Sequence, residues 1–160
     1  MINFTANTIQ CHIAKFCSES NDYKFLLLQR AADLEVYPNI WQVITGTIDE
    51  GETAVECLYR EVYEEISINL MKYDVYTVPY ICKYFMPAKN AIGLAPVFGA
   101  VIDESDPVII SGEHQAYSWL SSNEYNEQFL VPSQIEAHSI FEKYILHSQN
   151  KEVFKIKHEL

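Results

Sequence analysis

The chain has 160 residues, 49% of them apolar and 13% aromatic, which suits a single compact domain spanning 1–160 with a sizeable core and excludes an intrinsically disordered polymer. Its formal net charge is −11 and its only arginines are Arg30 and Arg60, which excludes a nucleic-acid polymer as a partner. No apolar run approaches the length that spans a bilayer, and the first sixteen residues, MINFTANTIQCHIAKF, lack a basic start followed by a long apolar stretch, so neither a membrane span nor a secretory signal is expected.

Taken in chain order, the partly alternating run 8–16 and the short apolar run 24–28 read as strands, the second ending at Gln29 and Arg30. Residues 31–39 read as a loop containing Pro38. Another short apolar stretch, 41–44, is expected to stop at Thr45 and Gly46. Residues 52–66 predict a helix: they contain no Gly or Pro, and Val55, Leu58, Val62 and Ile66 recur at helical spacing. Strand-like segments return at 74–82, 95–102 and 117–120. A last helix is predicted from about 132 to 147, with Pro132 or Ser133 at its start and an apolar face made by Ile135, Ile140, Phe141, Tyr144 and Ile145. The sum is a mixed sheet with helices packed on it, an α/β or α+β layered domain.

Cys11, Cys17, Cys57 and Cys82 have no C-x-x-C spacing, so they are read as reduced, buried thiols in a cytoplasmic protein and not as a zinc site. The last four residues, 157–160, faintly resemble an ER-retention tail. With no signal peptide expected, the match is read as coincidence.

On the helix at 52–66, Glu61, Glu64 and Glu65 stand at i, i+3 and i+4, so three carboxylates share one face beside the apolar one. Neighbouring carboxylates raise one another's pKa. Two arrangements relieve that: a solvated acidic face, where water screens the repulsion, or a set of oxygen ligands around hard divalent cations. The spacing alone leaves both open.

The stretch 46–68 carries more than those three acids. Gly46 is followed after five residues by Glu52, and after seven more by Arg60, Glu61, Val62, Tyr63, Glu64 and Glu65. This resembles the Nudix box, G-x5-E-x7-R-E-U-x-E-E-x-G-U, in which U is a bulky aliphatic residue. At average residue usage, six charged or glycine positions fall in register by chance on the order of once in a hundred thousand chains of this length. Ser67 stands where the box has its second Gly, a position just past the helix where left-handed backbone is often needed. Either Ser67 takes that conformation, or Asn69 makes the turn later.

The flanks extend the likeness. Leu28-Gln29-Arg30, then Trp41-Gln42-Val43-Ile44-Thr45-Gly46, and later Glu113-His114-Gln115-Ala116-Tyr117-Ser118-Trp119-Leu120 are similar to segments of the dihydroneopterin triphosphate diphosphatase group within that family. Residues 83–111 match poorly, and Phe4 and Thr5 supply no counterpart to a lysine the group carries near its first strand.

The resemblance implies a Nudix-type α/β/α sandwich and a metal-dependent hydrolase that cleaves a phosphoanhydride in a nucleoside triphosphate-like or nucleoside diphosphate-linked small molecule, with dihydroneopterin triphosphate a named candidate. It implies Mg2+ or Mn2+ held by Glu61, Glu64, Glu65 and Glu113 with the Gly46 carbonyl, and it leaves a homodimer open. Glu61, Glu64 and Glu113 would serve catalysis, with Glu61 or Glu113 taking the proton of the attacking water. Arg30 and Thr45 would contact substrate, while Glu52 and Arg60 would brace the loop against the helix, an Arg serving because its planar fork pairs a carboxylate bidentately. Alternatives are a broad-specificity nucleoside triphosphate pyrophosphatase and a non-catalytic ligand-binding module. His12 and His114 read as structural or surface histidines. Any of Trp41, Tyr37, Tyr80 and Phe85 could stack on a substrate ring, though aromatics are more often core.

Overall fold

The computed structural model describes residues 1–128 and 131–157, so most of the tail at 157–160 lies outside the described residues. Eight strands form one mixed sheet: β1 (Asn3–Thr5), β2 (Thr8–Cys17), β3 (Asp22–Arg30), β4 (Trp41–Gln42), β5 (Ile44–Thr47), β6 (Asp74–Met86), β7 (Ala91–Ile102) and β8 (His114–Leu120). Strand β7 runs parallel to β1 and β2 and antiparallel to β6; β2 pairs with β3 and β5, and β3 pairs with β4 and β8, all antiparallel. The helices are α1 (Ala54–Ile66), α2 (Ser122–Gln128) and α3 (Pro132–Phe141).

Side chains alternate across a strand, and here both faces are covered, so β2 is buried continuously from Ile9 to Ala14 and β3 from Phe25 to Leu28. Leu26 and Leu28 of β3 and Ile9, Cys11 and Ile13 of β2 turn toward α1, packing with Leu58, Val62 and Ile66. Phe25, Leu27 and Ala14 turn the other way and pack with Ala137 and Phe141 of α3. Burying each such aliphatic side chain is worth about 1.5–3 kcal/mol. The mixed α+β layering matches the sequence expectation, and all four cysteines are free and buried, as read. Among the described residues no helix is long and apolar enough to cross a membrane.

Several boundaries differ from the sequence reading. The strand expected to stop at Thr45 and Gly46 instead breaks at Val43 and resumes through Thr47, because Thr8, Ile9, Gln10 and Cys11 of β2 supply partners for Thr47, Gly46, Thr45 and Ile44. Helix α1 starts two residues later than predicted. Thr53 caps it, its side chain accepting from the Glu56 N–H while Glu56 accepts from the Thr53 N–H, a reciprocal capping box. The last helix is α-helical only to Phe141 and continues as a π-helical turn, Glu142–Leu146. Residues 83–102, poorest in resemblance, belong largely to a long β6–β7 hairpin that extends past both predicted strands, with a register shift between Val78 and Ile81. Pro79 lies in that shift, where a residue without an N–H is tolerated. Strand β1 and helix α2 were not anticipated; each is short and without clear periodicity.

Helix α1 ends at Ser67, whose backbone is left-handed with φ 59°, while Asn69 at φ −86° is extended. Of the two sequence alternatives, the turn is therefore made at Ser67.

Candidate functional site

Strand β5 and the loop after it lead into α1, so residues 46–66 form one strand–loop–helix unit against the sheet. Arg60 ties that unit together. Its Nε donates to Glu52 Oε1 and its Nη2 to Glu52 Oε2, both at 2.8 Å, a bidentate pair. Nη2 also donates to the Thr47 carbonyl at 3.0 Å, and Glu52 accepts from the Asp49 N–H. The guanidinium and that backbone bond hold Glu52 well below the usual carboxylate range, at about 2. The pairing expected between Glu52 and Arg60 is present. Beyond it, Arg60 Nη1 donates to Glu61 at 2.8 Å and to Glu64 at 3.1 Å, so the arginine also restrains two of the acids it precedes.

The three acids of α1 do not share one environment. Glu64 points to solvent, Glu61 is half-buried and Glu65 is only 6% exposed. The acidic face expected from spacing is about 100° wide, the rotation between Glu64 and Glu65, so its Glu64 edge meets solvent while its Glu65 edge turns into the protein. Glu65 Oε2 is buried with no hydrogen-bond partner. Its desolvation, followed by the charges of Glu61 and Glu113, pushes the Glu65 carboxyl up to about 9, against the support of the Thr45 backbone. Glu61 is also raised, chiefly by burial and against the pull of Arg60. Three carboxylates from α1 and the β7–β8 loop therefore converge electrostatically.

Gly46 lies under this convergence. A side chain there would place its Cβ 2.2 Å from Glu61 Cγ, so only glycine lets Glu61 lie against β5. Arg30 ends β3, and the Ala31 N–H donates to the Glu113 carbonyl at 2.9 Å, which brings Arg30 and Glu113 to the same rim. Arg30 Nε donates to the Val36 carbonyl. Behind them His114 is buried, its imidazole 3.7 Å from Glu65, and desolvation first, then Arg30, lowers it to about 4. It is neutral at pH 7, so it offers Glu65 no countercharge.

A cavity of about 430 Å³ opens here, with Arg30, Thr45, Gly46, Glu61 and Glu113 on its wall. Of the predicted residues, Glu65 sits behind this wall and Glu64 outside it, while Glu52 and Arg60 brace it. The wall also includes Thr8, Gln10 and Tyr84, which sequence reasoning missed. Nothing in their local pattern marks them, since each reaches the site through strand pairing. None of Trp41, Tyr37, Tyr80 and Phe85 is on that wall. His12 is buried on the opposite face of the sheet against Tyr125, a structural histidine as read.

As they stand, no three Asp, Glu, His or Cys side chains among the described residues are grouped to hold a metal ion, with Glu61 and Glu64 turned to Arg60. The chemistry of the donor set nevertheless fits a hard divalent cation: a buried carboxylate oxygen without a partner, crowded by two more carboxylates, behind an open cavity that Gly46 also lines.

The chain is similar to known proteins in sequence and in fold. The NUDIX domain family model matches residues 14–139, which include the whole of 46–68. A dihydroneopterin triphosphate diphosphatase of Escherichia coli is 44% identical over 48 residues, which is 30% of this chain; the match spans 29% of that relative's length. The nucleoside triphosphatase NudI of Escherichia coli is 27% identical over 107 residues, 62% of this chain and 74% of the relative. Among solved structures, an Ap4A hydrolase of C. elegans superposes with a TM-score of 0.72 at 21% identity, covering 86% of this chain and 96% of that one, which shows a shared fold.

Proposed function

This chain belongs to the NUDIX domain family, and on that premise we propose that it is a single-domain, metal-dependent hydrolase of phosphoanhydrides in nucleoside triphosphate-like small molecules. The observation that carries the reading is Glu65: a buried carboxyl with an unpartnered oxygen, held beside Glu61 and Glu113 at a cavity of substrate size.

Glu61, Glu65 and Glu113, with Glu64 and the Gly46 carbonyl, would hold Mg2+ or Mn2+. Such a cation supplies the positive charge that an acidic wall needs before polyphosphate can approach, and it polarises the bond under attack. Arg60 keeps Glu61 and Glu64 within reach of that role and, through Glu52, fixes the loop that follows Gly46 and β5. Arg30 and Thr45 bind phosphate from the cavity wall. Glu113, on the exposed rim, or Glu61, against β5, accepts the proton of the attacking water; that both carboxylates line the cavity supports this reading. In-line attack then needs little covalent chemistry from the protein, only alignment and charge.

The relatives favour a triphosphate as substrate. The dihydroneopterin triphosphate diphosphatase likeness supports a pterin triphosphate, and the NudI likeness supports a nucleoside triphosphate. We place the enzyme in the cytoplasm, consistent with four free thiols.

The test is a screen of dNTPs, NTPs, dihydroneopterin triphosphate and dinucleoside polyphosphates with magnesium and with a chelator. Diphosphate release from a triphosphate in magnesium, abolished by chelation, is the expected result. Absence of turnover on every anhydride overturns the hydrolase reading. Turnover of dNTPs with dihydroneopterin triphosphate left intact removes the pterin assignment alone.

A further inference from the structure

Most of the cavity wall concerns phosphate, but one residue on it is of a different kind. Tyr84, from the β6–β7 hairpin, is the aromatic side chain of that wall. It pairs across the hairpin with Gly93, and β1 continues the same row at Thr5. The ring lies over Gly93: a Cβ there would meet Tyr84 Cζ at 2.4 Å, Cε2 at 2.6 Å and the hydroxyl at 2.8 Å. An aromatic folded across an opposing glycine covers a gap in the sheet and is held down by it. The hydroxyl is fixed as well, sharing a hydrogen bond of 3.0 Å with Thr8 Oγ1. Tyr84 is thus a ring pinned at two points, still 38% exposed, with its free side on the cavity.

Its distance from the acids matters. The backbone of β6 lies three strand spacings from β5, which carries Gly46, on the order of 14 Å, and the ring leans back across β7 until its hydroxyl meets Thr8 on β2, one spacing from β5. The cavity therefore has two chemically distinct ends. One has Arg30, Glu61 and Glu113; the other has a rigid aromatic surface beside Thr8 and Gln10. Gln10 is itself held, its Oε1 lying 2.9 Å from the Cys82 thiol.

We infer that Tyr84 is the specificity-determining platform of the site, the surface on which a planar aromatic heterocycle stacks while the attached polyphosphate lies toward Arg30 and the glutamates. The inference rests on the phosphoanhydride reading above and adds the ring as the second element of recognition. It also gives Gly93 a role: the glycine exists to let the ring lie flat. Stacking is tolerant of ring identity, because every base has a π face, so Tyr84 selects for an aromatic group in general and leaves the choice among rings to edge contacts.

The test measures binding in magnesium with two probes, a GTP analogue with methylene bridges in place of its anhydride oxygens and ring-free methylenediphosphonate. Tyr84→Leu should weaken the GTP analogue about tenfold or more and leave methylenediphosphonate within about twofold. Tyr84→Phe should retain most of the affinity. Gly93→Ala keeps the tyrosine but lifts it, and should weaken the GTP analogue in the same direction. Equal weakening of both probes by Tyr84→Leu, or no weakening of either, overturns the inference, provided the variant melts as wild type does. The two readings fail separately. Wild-type protein that binds the GTP analogue through Tyr84 yet hydrolyses no triphosphate removes the proposed reaction and leaves the platform.

Discussion

The two faces of the sheet each bury titratable groups, with opposite results. Toward α1, Glu65 has one oxygen without a partner and two like charges as neighbours, next to an open cavity. Toward α3, His12 and His138 are buried as deeply; His12 Nδ1 shares a 3.0 Å bond with the Tyr125 hydroxyl and His138 Nε2 a 3.1 Å bond with Ser122, while the other nitrogen of each ring is buried without a partner, as Glu65 Oε2 is. The Tyr125 and His138 rings stack at 3.9 Å, and Phe25 meets His138 edge-on. Burial lowers His12 to about 3 and His138 to about 4, so both are neutral and packed as uncharged rings. Desolvation perturbs both faces. The histidines stay neutral among aromatics, and Glu65, raised to about 9, stays neutral as well; what differs is that Glu65 is crowded by carboxylates beside an open cavity, where on the proposed reading a cation would ionise it. That contrast separates a structural polar core from a site better than burial does.

The largest expected effect attacks the α1 side. Glu65→Gln should lower turnover by about 10³-fold, since on the proposed reading it removes a ligand of the cation, yet should not lower the thermal midpoint, because a desolvated carboxyl is replaced by a neutral isostere. Turnover near the wild-type value would break the contrast between the faces.

Arg60→Lys comes next. A lysine cannot pair Glu52 bidentately while also reaching Thr47, Glu61 and Glu64, so stability should fall by about 1–2 kcal/mol and kcat/KM by about tenfold. Urea titration alongside kinetics reads both, and a variant unchanged in both would show that the brace is dispensable.

The α3 side predicts a pH dependence. Both histidines are lowered in the folded state, so above pH 6.5 they are neutral folded or unfolded and cost nothing. As pH falls through 6.5 the unfolded chain takes up protons that the folded one refuses, and stability drops toward pH 4, by about 1–2 kcal/mol per histidine at pH 5. Urea midpoints at pH 7.5 and pH 5 measure the drop, and His138→Phe should make it shallower; an unchanged slope would mean that this cluster does not set it.

The smallest change lies at the end of α1. Ser67→Gly removes a side chain from left-handed backbone and should stabilise by about 0.5–1 kcal/mol with activity unaltered. Calorimetry is sufficient, and destabilisation would show that Ser67 makes a contact worth more than its conformational cost.

The sequence by itself determined the layers, the helix and the register of its acids. Partial alternation in β2, the short apolar run in β3, helical spacing in Leu58, Val62 and Ile66, and the register from Gly46 to Glu65 are local properties, readable in a short window of the chain. Even the left-handed turn was legible, as a choice between Ser67 and Asn69. What only the tertiary structure decided was which acids are buried, since Glu61, Glu64 and Glu65 are alike in spacing and differ only in what the sheet puts beneath them. It also decided the far end of the cavity. Tyr84 and Gly93 are nine residues apart in a segment without a motif, and their pairing is set by hairpin register, while Thr8 reaches the same ring from 76 positions away. Contacts between distant strands depend on which edges meet, a property of the whole sheet that no local window contains. The acidic helix was written into the chain; the ring that would tell it what to act on was placed by the fold.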